Sequence, residues 1–377
     1  MKTRGLSMAL GGSLLAAIAA SPAQSEEYAA NIFFGPELTL TKYAYTEFAK
    51  RVADATNGAV SFKVYTGGVL IPPRASMEGI ADGIAQVGYH AGTYTPDKIP
   101  RHNLISELSF VSTDYFVTAL ASTEISFVMP ELEAEWKANG VVYGGGYSTL
   151  PYVLQCNTKL ETLADVKGKR LRMPGAIWDR WATAMGAVSV NVPSSEIYTG
   201  LDRGTIDCGV NPAEGLKSRS FWDVANHVLD LPLGVYYSGF HWAYNPDFWG
   251  SLSVEQRKTL YEQMAWAIAK TGVEYTRETE AVIAQAKAEK GVTFVQPAPD
   301  LLAAHAAFVE QDSKALVELA KTKYGIDDAQ KYIDKYMELV AKWEGLLKNV
   351  DKTDVDAIKA LVMSEIYDKV DPATYGL

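Results

Sequence analysis

Between Ser253 and Gly291 more than thirty consecutive residues read as one helix, with no proline to interrupt them. The stretch opens with Ser253-x-x-Gln256, a capping box in which each side chain satisfies the other residue's free backbone N–H. At 1.5 Å per residue such a helix would run roughly 50 Å, more than the ~30 Å diameter of a small domain. It is therefore expected to brace two packed units. The length of 377 residues fits that expectation, since ~150 residues per domain gives two or three units. With 48% apolar and 21% charged residues the chain has the make-up of a soluble, core-burying globule.

The N-terminus differs from the rest. Lys2 and Arg4 precede an apolar run from Leu6 to Ala20, and Ser21, Pro22, Ala23, Gln24 and Ser25 follow. A basic start, a short apolar run and small residues make a cleaved export signal over residues 1–25. The run is shorter than the ~20 residues a membrane span requires. Without Lys2 and Arg4 the mature chain carries 33 basic against 45 acidic residues, which leaves no general basic field for a nucleic acid. No later segment is apolar for long enough to enter a bilayer. A periplasmic location follows as the expectation.

The body of the chain alternates strand and helix patterns. Ile32 to Phe34 read as a buried strand, Lys42 to Thr56 as a helix, and Val60, Phe62 and Val64 as a strand ending at Gly67-Gly68. Pro73 opens another helix and Gln86 to Gly92 a third strand, which gives the start of a doubly wound sheet. A second unit begins near Tyr152. Its strands are expected over Val153–Asn157, Arg170–Met173, Val188–Val192 and Ile206–Val210, with a helix from Ser195 to Asp202 capped by Ser194 or Ser195. Helices over Leu301–Leu347 and Val355–Lys369 close the chain.

Enzyme motifs do not appear. Gly144-Gly145-Gly146 fails as a dinucleotide fingerprint, because Thr149 stands where its last glycine is needed. There is no P-loop, nucleophile elbow or H-E-x-x-H, and His90, His102, His227, His241 and His305 are too scattered to propose a metal set. No cofactor is expected. Cys156 and Cys208 lie outside any C-x-x-C pattern. A disulfide and two small buried hydrophobes are both open to them, with the second favoured.

The stretch Lys167-Gly168-Lys169-Arg170-Leu171-Arg172-Met173-Pro174-Gly175 is the most informative. A strand carrying Arg172 runs into a Pro-Gly turn, and open α/β sheets bind ligands at the carboxyl ends of their strands. A guanidinium there can hold a carboxylate through two parallel hydrogen bonds. An arginine paired to a nearby acid fits the residues equally well.

With this stretch the chain resembles the extracytoplasmic solute-binding proteins of TRAP transporters, the DctP family. The resemblance spans nearly the whole mature chain. It rests on Thr56-Asn57-Gly58, Asp165-Val166-Lys167-Gly168 leading to Arg172-Met173-Pro174-Gly175, Ser195-Glu196-Ile197-Tyr198, Asp207 to Pro212, and Phe248-Trp249 before Leu252 to Gln256. It implies an α/β, two-lobed periplasmic binding protein fold with a long helix spanning both lobes. It further implies that Arg172 clamps a ligand carboxylate, that Asn211 lines the same cleft, and that the partners are a small organic acid and the transporter's membrane subunits. A sensing domain for a signalling receptor and an exported enzyme on small acids are the alternatives.

The chain departs from the family where many members place a second arginine, on Tyr152-Val153-Leu154-Gln155-Cys156, and where some carry a stacking aromatic, here Ser194. Trp178 is a candidate for an aromatic wall instead, or a core tryptophan. From the other lobe Tyr89, His90 and Tyr94 are candidates, although strand alternation sends Tyr89 and His90 to opposite faces. Tyr236 and Tyr237 mark a recrossing between lobes, with Tyr237 a further candidate. Lobe I is expected over residues 26–149 with 236–276, lobe II over 150–235 with 277–350, and a C-terminal helix and tail over 351–377. The protein is expected to be a monomer that closes its cleft on the ligand.

Overall fold

The computed structural model describes residues 27–377, so the expected export signal lies outside the described residues. In chain order the strands are β1 (Glu27–Asn31), β2 (Ser61–Tyr65), β3 (Val87–Ala91), β4 (Val142–Gly145), β5 (Tyr152–Cys156) and β6 (Arg170–Arg172). Then come β7 (Val188–Val190), β8 (Cys208–Pro212), β9 (His227–Leu229), β10 (Gly239–Tyr244) and β11 (Thr293–Val295). They form two sheets, one per lobe, ordered β2-β1-β3-β10-β4 and β11-β9-β5-β8-β6-β7.

Each sheet is parallel apart from one strand. In the first sheet β10 runs against β3 and β4, and in the second β5 runs against β8 and β9. Both are the strands with which the chain enters a lobe after crossing from the other. A chain arriving from the cleft starts where the parallel strands end and must run outward, so it opposes them. The carboxyl ends of the parallel strands in both lobes consequently face the cleft, where α/β sheets present ligand-binding loops. Gly239 starts β10 at a positive φ of 99°, and a Cβ there would sit 2.0 Å from the carbonyl oxygen of His90.

The bracing helix is present as Val254–Glu289, 36 residues with both halves of the Ser253/Gln256 capping box formed. It packs on the helix Phe48–Ala55 of the first lobe and on Gly215–Ser218 of the second, and Val355–Glu365 lies along it. Four features differ from the sequence expectations. Ile32, Phe33 and Phe34 are fully buried but follow β1 rather than forming it; their apolar run marks burial, which periodicity alone does not separate from strand. Neither Ser194 nor Ser195 caps a helix through its side chain, because a 3-10 turn, Ser194–Glu196, leads into Ile197–Asp202. Cys156 and Cys208 stand directly opposite each other on β5 and β8 and form a disulfide rather than two free thiols. The helix Ala329–Leu347, expected with lobe II, packs on Tyr115–Val128 beside the first sheet. There Glu124 accepts from Lys342 and from the Trp343 indole, and Tyr336 stacks on Tyr237.

Candidate functional site

Arg170 and Arg172 share one face of β6, because side chains alternate with period two, yet they have different surroundings. Arg170 is partly exposed and paired with Asp207, its Nη2 2.6 Å from Oδ1 and its Nε 3.1 Å from Oδ2. Arg172, two residues nearer the cleft, is 1% exposed and has no carboxylate partner among the described residues. Its Nε donates to Val192 O (2.9 Å), its Nη1 to Val210 O (3.2 Å) and its Nη2 to the Tyr94 hydroxyl (3.3 Å). Three of five N–H groups are used, and the rest remain for a ligand. The Pro174-Gly175 turn lets the first lobe come close: a Cβ on Gly175 would lie 2.7 Å from Thr93 Cγ2, and the Thr93 hydroxyl donates to Pro174 O.

Arg172 borders a narrow cavity between the lobes, with about 20 Å³ of room in this state. That is about the room a single water needs, so the lobes must part to admit anything larger. The first lobe contributes Phe34, Tyr89 and Tyr94, the crossings Thr149, Tyr152 and Tyr236, the second lobe Ser194, Asn211 and Arg219, and the long helix Tyr275. The Tyr94 hydroxyl reaches across the cleft and also accepts from Ser194 N at 2.8 Å. Burial holds the Tyr152 and Tyr236 phenols well above their usual range, with Arg172 pulling the other way. Both therefore keep their protons. No acidic residue lines this cavity. A wider groove of about 420 Å³ runs along the long helix from Glu37 to Gln285, but it is lined by charges of both signs and neither Arg172 nor Arg219 lines it. The convergent polar groups favour the smaller cavity as the site. No group of histidines, cysteines and acids suited to a metal ion occurs among the described residues.

Of the residues singled out from sequence, Arg172, Asn211, Tyr89 and Tyr94 come together at this cavity. Asn211 is 2% exposed on β8, and its backbone carbonyl accepts from the Gln155 amide, which also donates to Pro212 O. Three candidates lie elsewhere. His90 turns to the opposite face of β3, held between Ser76 Oγ (2.8 Å) and Thr95 Oγ1 (2.7 Å). Trp178 stands behind the wall, stacked on Tyr236 and donating its indole N–H to Leu233 O. Tyr237 points away, its hydroxyl on Ile105 O, while its neighbour Tyr236 faces in.

Arg219 escaped the sequence reading. It follows the short helix Gly215–Ser218 and sits beside Lys217, so nothing in its spacing marks it apart from a solvated base. Its Nη1 lies 3.3 Å from both the carbonyl oxygen and Oγ of Ser194, in space that the small serine leaves free. The arginine missing from β5 thus has a counterpart that enters the cavity from another segment.

The family model for bacterial extracellular solute-binding proteins, family 7 (DctP), matches residues 33–319. Outer membrane transporter protein TsaT of Comamonas testosteroni is 25% identical over 283 residues, 73% of this chain and 80% of that protein. The C4-dicarboxylate-binding periplasmic protein DctP of Rhodobacter capsulatus is 24% identical over 223 residues, 58% of this chain and 65% of that one. Among solved structures, a TRAP periplasmic solute-binding protein of Bordetella bronchiseptica with bound mandelate superposes with a TM-score of 0.72 at 20% identity, over 84% of this chain and 99% of that one. The relation to that structure is one of fold. No helix among the described residues is long and apolar enough to cross a membrane, and the family is one of periplasmic binding proteins rather than enzymes. The chain belongs to family 7 of the bacterial extracellular solute-binding proteins, the DctP family of TRAP solute-binding proteins.

Proposed function

We propose that this protein captures a small carboxylic acid in the cavity between its lobes and delivers it to the membrane subunits of a TRAP transporter. The observation that carries the reading is Arg172: a buried guanidinium at a strand end, aimed at an aromatic cavity, with spare N–H groups and no protein carboxylate. Burying such a cation is costly unless an anion joins it. A planar carboxylate supplies two matched acceptors, and the neutral phenols around it supply donors to its remaining lone pairs. The mandelate held by the Bordetella bronchiseptica protein is an acid of this kind.

The test is a calorimetric titration with an acid found by thermal-shift screening and with its primary amide. The acid is expected to bind at least tenfold tighter, and Arg172→Lys, still folded, to lose about 2–5 kcal/mol of binding free energy. Equal affinity for acid and amide, or a change below threefold in the variant, would overturn the clamp. Delivery is checked by uptake into vesicles carrying the membrane subunits, which should depend on added binding protein.

A further inference from the structure

Arg219 brings a second guanidinium to the wall of the same cavity, and its charge is not balanced there. Its Nε is buried without a hydrogen-bond partner. Its two Nη1 contacts go to uncharged oxygens of Ser194, and its Cζ lies 4.8 Å from the ring centroid of Phe34, across the cleft. Glu214, five residues before it, forms no ion pair within 4 Å, and its two carboxyl oxygens have no hydrogen-bond partner; burial pushes this carboxyl up to about 7 against the pull of Arg219. Arg172 has no carboxylate partner either, so two guanidinium groups line one narrow space. One buried and one half-buried cation, neither in an ion pair, favour two negative groups on the occupant. Between them the lining is aromatic: Phe34, Tyr89, Tyr152, Tyr236 and Tyr275 border the space, and Tyr152 and Tyr236 stack with their rings 6.3 Å apart at 15°. Flat aromatic surfaces are best covered by a planar, unsaturated body, and a flexible chain would lose rotamer freedom on entering.

We propose that the ligand is an arene dicarboxylate, one carboxylate held by Arg172 and the second by Arg219. The proposal rests on the carboxylate reading of the cavity and adds the second charge and the ring. The probes are benzoate, the benzene-1,2-, 1,3- and 1,4-dicarboxylates, and succinate, each titrated calorimetrically into the full chain. At least one benzenedicarboxylate is expected to bind tenfold or more tighter than benzoate and than succinate. In Arg219→Gln that ratio over benzoate should fall to near one, and Arg219→Lys, which keeps the charge without the fork, should restore part of it. Thermal melts of both variants confirm that they are folded.

A benzoate affinity equal to or above that of all three diacids, an unchanged ratio in Arg219→Gln, or no binding of any diacid would overturn the proposal. If benzoate binds and Arg172→Lys abolishes it while the diacids gain nothing, the carboxylate clamp stands and the second site fails. If acid and amide bind alike, the clamp itself fails. Succinate outranking every arene diacid would keep two charges but reject the ring, and so also reject the proposed ligand class.

Discussion

Glu214 is the residue whose protonation is most exposed to measurement. It is 2% exposed, it begins the short helix that leads to Arg219, and burial raises its carboxyl from 4.5 to about 7. A carboxyl raised in the folded state favours folding below its unfolded value and loses that contribution as pH climbs through the folded value. Between about 4.5 and about 7 the folded chain therefore binds the extra proton, and stability should fall by about 1.4 kcal/mol per pH unit from this group alone. Urea unfolding at several pH values should show a shallower decline in Glu214→Gln than in the natural sequence, and identical slopes would remove Glu214 as the cause. At this scale the sequence revealed Arg172 because a motif and a strand end coincided. Arg219 stayed hidden because an isolated arginine after a four-residue helix has no periodicity to read. His90 illustrates why alternation constrains candidates: adjacent residues on a strand cannot both face one cavity, and Tyr89 took that place.

The disulfide between Cys156 and Cys208 joins the strands that carry Gln155 and Asn211, and it closes a loop of about fifty residues. On the chain-entropy account a loop of that size stabilises by about 4 kcal/mol. Exchanging both cysteines for alanine should lower the unfolding free energy by about 2–4 kcal/mol, and a reductant should shift the unfolding midpoint of the natural chain but not that of the double variant. Equal midpoints would show that the bridge adds nothing. Sequence reading left the pairing open because register between β5 and β8 decides it, and register depends on the partner strand rather than on either local pattern. Elements with strong local signals fared better. The long helix was legible from its capping box and unbroken run, and the alternating strand at Ser61–Tyr65 from its period. The apolar run at residues 32–34 misled, since deep burial in a loop next to a sheet looks the same in sequence as a buried strand.

At the scale of the whole molecule polar contacts span the cleft, among them Tyr94 to Arg172, Thr93 to Pro174, and Arg180 to Glu107 at 2.9 Å. Without an anion, closure keeps Arg172 out of water and Arg219 half-buried beside it, and opening would expose both. Small-angle scattering should therefore show a larger radius of gyration for the ligand-free protein, falling when a saturating acid binds and the closed population rises. Tight binding with no compaction would refute a closing cleft. The interleaved path of the chain has its own effect on how the molecule can be made. The first sheet needs β10 to bridge β3 and β4, and the last residues still tie onto it, with Tyr367 and Tyr375 donating to the carbonyls of Gly144 and Tyr143. The second sheet waits for β11 at residues 293–295. A polypeptide emerging amino end first can complete neither lobe until most of its length is available, so both lobes gain their rigidity late and nearly together.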